Sequence, residues 1–320
     1  MQPQGYFQVS PLVLYPDTCS DFRVYLKQNG RMVLYTKAKE RYTQQLRQKL
    51  YETGIDKVYV PASQIEHYQN YVHLHLSKIL EDPNIPVQER SKVFLQTTTD
   101  MVRTIFKKKL SGGLSQEDFD RIAHTVSCSS QFLSLEESIR NISKLISHDY
   151  QTFSHCVHVF TYSTALINTY TEFTDKDQQN AGIGAILHDL GKTLIPQSVL
   201  NKPGRLNSQE WDMMQKHPIY GVRLCSNISL PDLSLKCILF HHENYDGTGY
   251  PSGMQAEAIP LPARIINCCD IYDAITSDRP YASAESPFQA LKAMKHNMQG
   301  AIDLDVLRRL ITLLQNIGSV

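Results

Sequence analysis

Residues 111–118 read "SGGLSQED", and the chain changes character across them. Two adjacent glycines end the helix before them, because glycine costs about 1 kcal/mol in a helix interior and takes left-handed conformations freely. Ser115 stands three residues before Asp118, the spacing at which a hydroxyl caps the next helix. From there to the C-terminus almost every segment carries apolar residues at helical spacing, with no convincing alternation of a strand. The expectation is an all-α domain over residues 111–320, preceded by a smaller mixed α/β domain over 1–110. The fold class is α+β overall.

Upstream of the boundary, "FRVYLKQ" (22–28) and "RMVLYT" (31–36) are β-prone runs joined by Asn29-Gly30. That dipeptide favours two-residue hairpins because both positions accept positive φ. A helix pattern follows from Lys39, with Tyr42, Leu46 and Leu50 on one face and Gly54 as its stop. "KVYV" (57–60) reads as another strand, and Ser63 with Glu66 predicts a capping box opening a helix that runs to Leu80. After "EDPNIP", a long linking helix over 86–110 carries Phe94, Met101, Val102, Ile105 and Phe106 at three- and four-residue spacing. That stripe is either a face packed on its own domain or a candidate homodimer or signalling surface. Lys107-Lys108-Lys109 closes this helix, where cations complement the dipole.

Lys+Arg and Asp+Glu balance at 32 each over 320 residues, so no broad basic field points to duplex nucleic acid. Seven cysteines, an odd number with no CxxC pair, predict reduced thiols rather than a disulfide framework. No apolar stretch approaches the roughly 20 residues of a membrane span, and the first residues carry no signal-peptide pattern. The chain reads as cytoplasmic, with no membrane partner.

Eight of the twelve histidines fall between His124 and His242. Five have neighbours that make chemical sense: His155 in "TFSHCVHVFTYSTAL", His188 beside Asp189 in "AILHDLGK", His217 in "KHPIYG", and His241-His242 in "HHENYDGTGYP". Asp270 and Asp273 follow in "NCCDIYDAITSDRPY". Imidazoles with carboxylates suit a first-row transition metal. In the His188-Asp189 pair the imidazole can bind one ion while the carboxylate bridges two, and Gly191 stops the helix so that Asp189 faces a cavity. A lone HD dipeptide carries little, and His148-Asp149 is such a pair. Several of these residues in one helical core are informative, because each costs desolvation unless paired or metallated. His73, His75, His124 and His158 read as structural.

"HDLGK" followed by "HHENYDGTGYP" resembles the HD-GYP family, the HD phosphohydrolases that hydrolyse cyclic di-GMP in bacteria. The likeness extends through "IPQSVLNKPGRLNSQEW", "KHPIYG" and "IPLPARIINCCDIYDAITSDRPY", and so over most of residues 140–300. It implies an all-helical HD fold and a phosphodiesterase producing pGpG or GMP. His155 matches the first ligand histidine, His188 and Asp189 the HD pair, His217 the "HP" histidine, His241-His242 the doublet and Asp270 the terminal aspartate. The resemblance implies one metal held by His155, His188, Asp189 and Asp270, and another held by Asp189, His217, His241 and His242. Some members hold a third metal through a glutamate one helical turn before the first histidine. That position is Gln151 here, so two divalent ions are expected: iron or manganese, with nickel, cobalt or zinc also accepted by such donors.

Two such cations would polarise the phosphodiester and lower the pKa of a water so that it could attack as hydroxide. Asp189 and Lys192 are then the catalytic residues, with Lys192 reaching a non-bridging phosphate oxygen. Arg279 offers a fork for a second phosphate, or else pairs with Asp278 or Asp273. Asp246-Gly247 reads as a turn, Gly249 as the point of close approach to a ligand, and Tyr250 as a ring that stacks on guanine or packs beneath the loop. Asp246, Gly249 and Tyr250 thus join Lys192 and Arg279 as substrate contacts, and Glu243 is expected to orient a ligand histidine. The alternatives are a weakly catalytic cyclic-dinucleotide sensor, a module docking GGDEF-type proteins through the GYP loop, or an enzyme for another cyclic dinucleotide such as cyclic GMP-AMP.

Overall fold

Asn29 and Gly30 both take positive φ, 48° and 79°, as the hairpin turn demands. The structure, a computed structural model, describes residues 5–108, 110, 112–146, 152–278 and 283–319. The chain folds as two units, Met1–Asp100 and Met101–Val320. The division falls inside the long helix, ahead of the glycine pair at which the sequence changes character.

The first unit holds an antiparallel sheet of β1 (Tyr6–Val9), β2 (Val24–Gln28), β3 (Arg31–Thr36) and β4 (Val58–Pro61), ordered β1-β4-β2-β3. The hairpin pairs Gln28 with Arg31. The short strand β1 was not anticipated; it is recruited by β4 in the register Tyr6 to Pro61. Helix α1 (Gln44–Glu52) starts later than its apolar pattern suggested. The backbone of Tyr42 is committed elsewhere, its N–H to Thr18 O at 2.8 Å and its carbonyl to Asp17 N at 2.7 Å. Gly54 stops the helix at φ 67° as expected.

The expected helix from Ser63 to Leu80 is two helices, α2 (Ile65–Leu74) and α3 (Leu76–Glu81). Ser63 sits in a 3₁₀ turn over Ala62–Gln64 and caps nothing, and the chain leaves helical geometry at His75, with φ −107° and ψ 10°. Helix α4 (Val87–Lys107) follows. Phe94, Met101, Val102 and Ile105 are buried within this chain. Four of the five stripe residues are therefore covered by the chain itself, with Phe106 half-buried.

The second unit contains α5 (Gln116–Ser130), α6 (Glu136–Leu145), α7 (Thr152–Ile167), α8 (Asp175–Leu187), α9 (Gln197–Leu200), α10 (Ser208–Met214), α11 (His217–Leu224), α12 (Asp232–Phe240), α13 (Leu261–Thr276), α14 (Pro287–Asn297) and α15 (Leu304–Asn316). Among its described residues there is no strand. Ser115 Oγ accepts from Asp118 N at 3.1 Å, the cap read from sequence. The Asp118 carboxylate, buried, receives Lys108 Nζ at 2.6 Å, so one residue of the lysine run is a pairing cation. Lys109 lies outside the described residues.

Helix α7 is the axis of this unit: every residue from His155 to Ile167 is buried, and α8 and α13 pack against it. Where α8 crosses α12, a Cβ on Gly184 would stand 2.4 Å from Cys237 Cβ, so the glycine sets the approach. Gly191 acts similarly. Helix α8 has already ended at Leu187, so Gly191 is not its stop. A Cβ there would lie 1.9 Å from His217 O and 2.5 Å from Gly221 N, which presses the 3₁₀ turn Leu190–Leu194 onto α11. All seven cysteines are free. Among the described residues, no helix is long and apolar enough to cross a membrane.

Gly191→Ala tests this packing because helix propensity and the backbone contact predict opposite signs. Propensity alone would favour alanine by about 1 kcal/mol. The clash with His217 O should instead destabilise by about 3 kcal/mol, at the upper end of overpacking costs. The expected result is a lower thermal midpoint, and an unchanged or raised one would show that the turn has slack.

Candidate metal centre

Five helices deliver ionisable side chains to one buried place. His155 comes from α7, His188 and Asp189 from just beyond α8, and His217 from the first position of α11. His241 and His242 come from just beyond α12, and Asp270 from α13. Three imidazoles are fixed by the same local device, in which Nδ1–H donates to the backbone carbonyl three residues earlier. His188 donates to Ala185 O, His217 to Met214 O and His241 to Ile238 O, each at 2.8 Å. In a neutral ring, donation through Nδ1 places the lone pair on Nε2.

Asp189 lies between two sets of such lone pairs. Its Oδ1 is 3.3 Å from His217 Nε2 and 4.0 Å from His241 Nε2. Its Oδ2 is 3.5 Å from His188 Nε2, 3.7 Å from His155 Nε2 and 2.6 Å from Lys192 Nζ. Asp270 reaches His155 Nε2 at 3.0 Å through Oδ1 and His242 Nδ1 at 3.7 Å through Oδ2. Two donor groups result, Asp189 with His217, His241 and His242, and His155 with His188 and Asp270. In each group the ligand atoms lie within 4.8 Å of one another.

The donor chemistry fits divalent cations. His217 Nε2 and His241 Nε2 face each other at 3.2 Å, both as lone pairs, an arrangement that attracts a cation and repels itself otherwise. His188 Nε2 and Asp189 Oδ1 are buried with no hydrogen-bond partner, which is costly in a protein interior. Burial pushes the His217 imidazole down to about 3 and that of His242 down to about 4, so both rings are neutral at neutral pH. Burial would push the Asp189 carboxyl up, but Lys192 and the surrounding imidazoles overcome it and hold the group ionised. At Asp270 burial is likewise overcome, by His155 foremost and then by His242 and His188, and the carboxyl is held well below its usual range.

The supporting residues are partly unexpected. Asp273 accepts from His155 Nδ1 at 2.7 Å and from His158 Nδ1 at 2.9 Å, and so fixes His155 with its Nε2 toward Asp270. His158 is thus the second clasp on the carboxylate that orients His155. Asn267 Nδ2 donates to His241 O at 2.9 Å and anchors the doublet. Asn267, Asp270 and Asp273 recur every three residues on α13, a sequence signal for one helical face. Cys156 also lies within reach of His188 and Asp189, but burial pushes its thiol well up, and a protonated thiol is a poor ligand.

The loop 243–254 departs from its sequence reading. Glu243 does not orient a histidine. Its buried carboxylate accepts from Ser252 N at 2.6 Å and Met254 N at 3.0 Å, pinning the loop to its own start. Gly249 makes its close approach to the loop's own backbone, since a Cβ would stand 2.2 Å from Asn244 N and 2.4 Å from His242 O. Asp246 Oδ1 closes the turn by accepting from Thr248 N at 3.0 Å and Thr248 Oγ1 at 2.6 Å. The Tyr250 ring lies 4.8 Å from that of His242 at 31°, so one face is spent on the centre itself. Arg279 and Gln151 lie outside the described residues.

A family model described as "HD domain" matches residues 140–306, the stretch that carries every one of these donors. A cyclic di-GMP phosphodiesterase of Pseudomonas aeruginosa is 37% identical over 177 residues, covering 54% of this chain and 42% of that protein. A 3'3'-cGAMP-specific phosphodiesterase of Vibrio cholerae is 37% identical over 152 residues, covering 48% and 33%. A cyclic di-GMP phosphodiesterase response regulator of Xanthomonas campestris pv. campestris is 35% identical over 150 residues, covering 46% and 40%. The chain thus spans less than half the length of each of these relatives. Among solved structures, a HDG"Y"P protein from Bdellovibrio bacteriovorus superposes with a TM-score of 0.65 at 19% identity, over 97% of this chain and 99% of that one. That likeness is one of fold.

The electrostatics of the centre make stability depend on pH. His217 titrates near 3 in the fold against 6.5 without burial, so below pH 6.5 the unfolded chain binds protons that the native one refuses. Stability of the metal-stripped protein therefore falls as pH drops from 7 to 5, by about 2 kcal/mol from this imidazole. Denaturant melts across that range check it, and a flat profile would contradict it. Asp273→Asn replaces one of two acceptor oxygens with a donor, so His155 and His158 cannot both keep their bonds. Metal affinity should fall about 10- to 100-fold with the fold retained, measured by competition with a chromogenic chelator.

Proposed function

This chain belongs to the HD domain family, and we propose that it is a metal-dependent phosphodiesterase cleaving cyclic di-GMP to pGpG, GMP or both. The observation that carries the reading is Asp189, a buried ionised carboxylate with one oxygen toward each of two imidazole groups. His155, His188, Asp189 and Asp270 would hold one divalent ion, and Asp189, His217, His241 and His242 the other; iron or manganese is expected, though these donors also accept nickel, cobalt or zinc according to availability. Ions held there supply Lewis-acid charge to the scissile phosphodiester and activate water.

The chain's own residues do the rest. Lys192, partly exposed and 2.6 Å from Asp189 Oδ2, holds a positive charge at the rim, where it can donate to a non-bridging phosphate oxygen as negative charge builds there. Arg279 is assigned from sequence to the second phosphate. Tyr250, held by the pinned loop, covers one side of the His242 ring. Relatives named for cyclic di-GMP and for 3'3'-cGAMP both match this chain, and 3'3'-cGAMP is accordingly the second substrate.

Chromatography of products after incubation with manganese or ferrous iron should show pGpG or GMP from cyclic di-GMP, with two ions per chain by metal analysis. His188→Ala with Asp189→Ala should abolish metal binding and turnover together. Full hydrolysis by that variant would end the assignment. Nucleotide bound but uncut by the wild type would instead favour a cyclic-dinucleotide sensor or a GGDEF-docking module.

A further inference from the structure

Trp211 is the chain's single tryptophan and is 46% exposed. Scattered exposed apolar residues are ordinary. What distinguishes this one is where its ring leads. The indole and the Tyr250 ring meet in a T-shaped contact at 6.1 Å and 81°, and Tyr250 in turn lies on His242 at 4.8 Å and 31°. Tyr250 also approaches His217 at 6.3 Å. Three ring contacts therefore connect an open aromatic surface to two histidines of the centre.

The ring is held on a firm base. Helix α10 opens with a reciprocal cap, Glu210 N to Asn207 Oδ1 at 2.9 Å and Asn207 N to Glu210 Oε2 at 2.8 Å. Lys202 Nζ adds an ion pair to Glu210 at 2.5 Å, and Trp211 N bonds Asn207 O at 2.9 Å. One turn further on, the carbonyl of Met214 fixes His217. The same short helix thus presents the indole outward and sets a candidate metal ligand inward. Tyr250 lies against both His242 and Trp211, and the exposed indole is the ring of the three with the most open surface.

We infer that Trp211 is a purine-stacking platform that sets the affinity for one base of the cyclic dinucleotide. The inference rests on the phosphodiesterase reading above and assigns a specificity residue within it. A flat polarisable indole beside a site for the scissile phosphate suits a base that carries no charge of its own. Stacking on an aromatic face weakens binding by roughly 5- to 150-fold when the ring is removed. In this arrangement Tyr250 supports the platform rather than serving as the platform itself.

The single tryptophan makes the test direct. Mixing the manganese-loaded full chain with cyclic di-GMP should quench tryptophan emission saturably. Trp211→Leu, which keeps apolar bulk without a ring, should raise KM about tenfold or more with a much smaller change in kcat. Trp211→Phe should recover most of the loss, and both variants should retain wild-type metal content and melting behaviour. Cleavage of cyclic di-GMP with unchanged emission, or a wild-type KM in Trp211→Leu, would overturn the platform while leaving the enzyme reading intact. A wild type that neither binds nor cleaves a cyclic dinucleotide would overturn the enzyme reading and the platform with it.

Discussion

The second unit is organised around a carboxylate that should not survive burial alone. Asp189 is fully buried and held ionised, with Lys192 against one oxygen and imidazoles around both. A buried charge without partners costs several kcal/mol, so the surrounding helices have to bring it compensation. They bring three rings locked in one tautomer by backbone carbonyls, a second carboxylate at Asp270, and a cation. The result is a set of lone pairs converging on one place, which favours a fold and a metal site together.

Close backbone approach makes that convergence geometrically possible. Gly191 lets the turn after Asp189 rest on the start of α11, so that Asp189 and His217 stand 3.3 Å apart. Gly249 folds the loop after the doublet onto the backbone of residues 242–244, and Glu243 ties its far end down. Gly249, Asp246 and Glu243 in the "HHENYDGTGYP" stretch all make contacts within the loop itself. They build a rigid loop whose visible product is the placement of Tyr250 on His242.

Much of the fold was legible because local rules were enough. The Asn29-Gly30 turn, the Ser115 cap and the Gly54 stop each depend on one or two residues' own conformations, and each is found as read. Errors arose where distant groups competed for the same backbone. Tyr42 belongs to a helical pattern but is tied to Asp17 and Thr18, and Ser63 is drawn into a 3₁₀ turn instead of a cap. The stripe on α4 was visible, but whether it faced its own chain or a partner was not.

At the candidate site, the identities of the histidines and aspartates were written in the chain, since imidazoles and carboxylates at HD, HP and HH positions are chemical facts of sequence. So was the spacing of Asn267, Asp270 and Asp273 on one helical face, although its meaning was not. Tertiary structure decided which oxygen of Asp189 faces which ring, that Asp273 clasps both His155 and His158, and that Glu243 serves the loop rather than a ligand. The physical reason is range. A residue type and its helical phase are set within a few neighbours, whereas a lone pair's partner is set by the packing of five helices that are far apart in the chain.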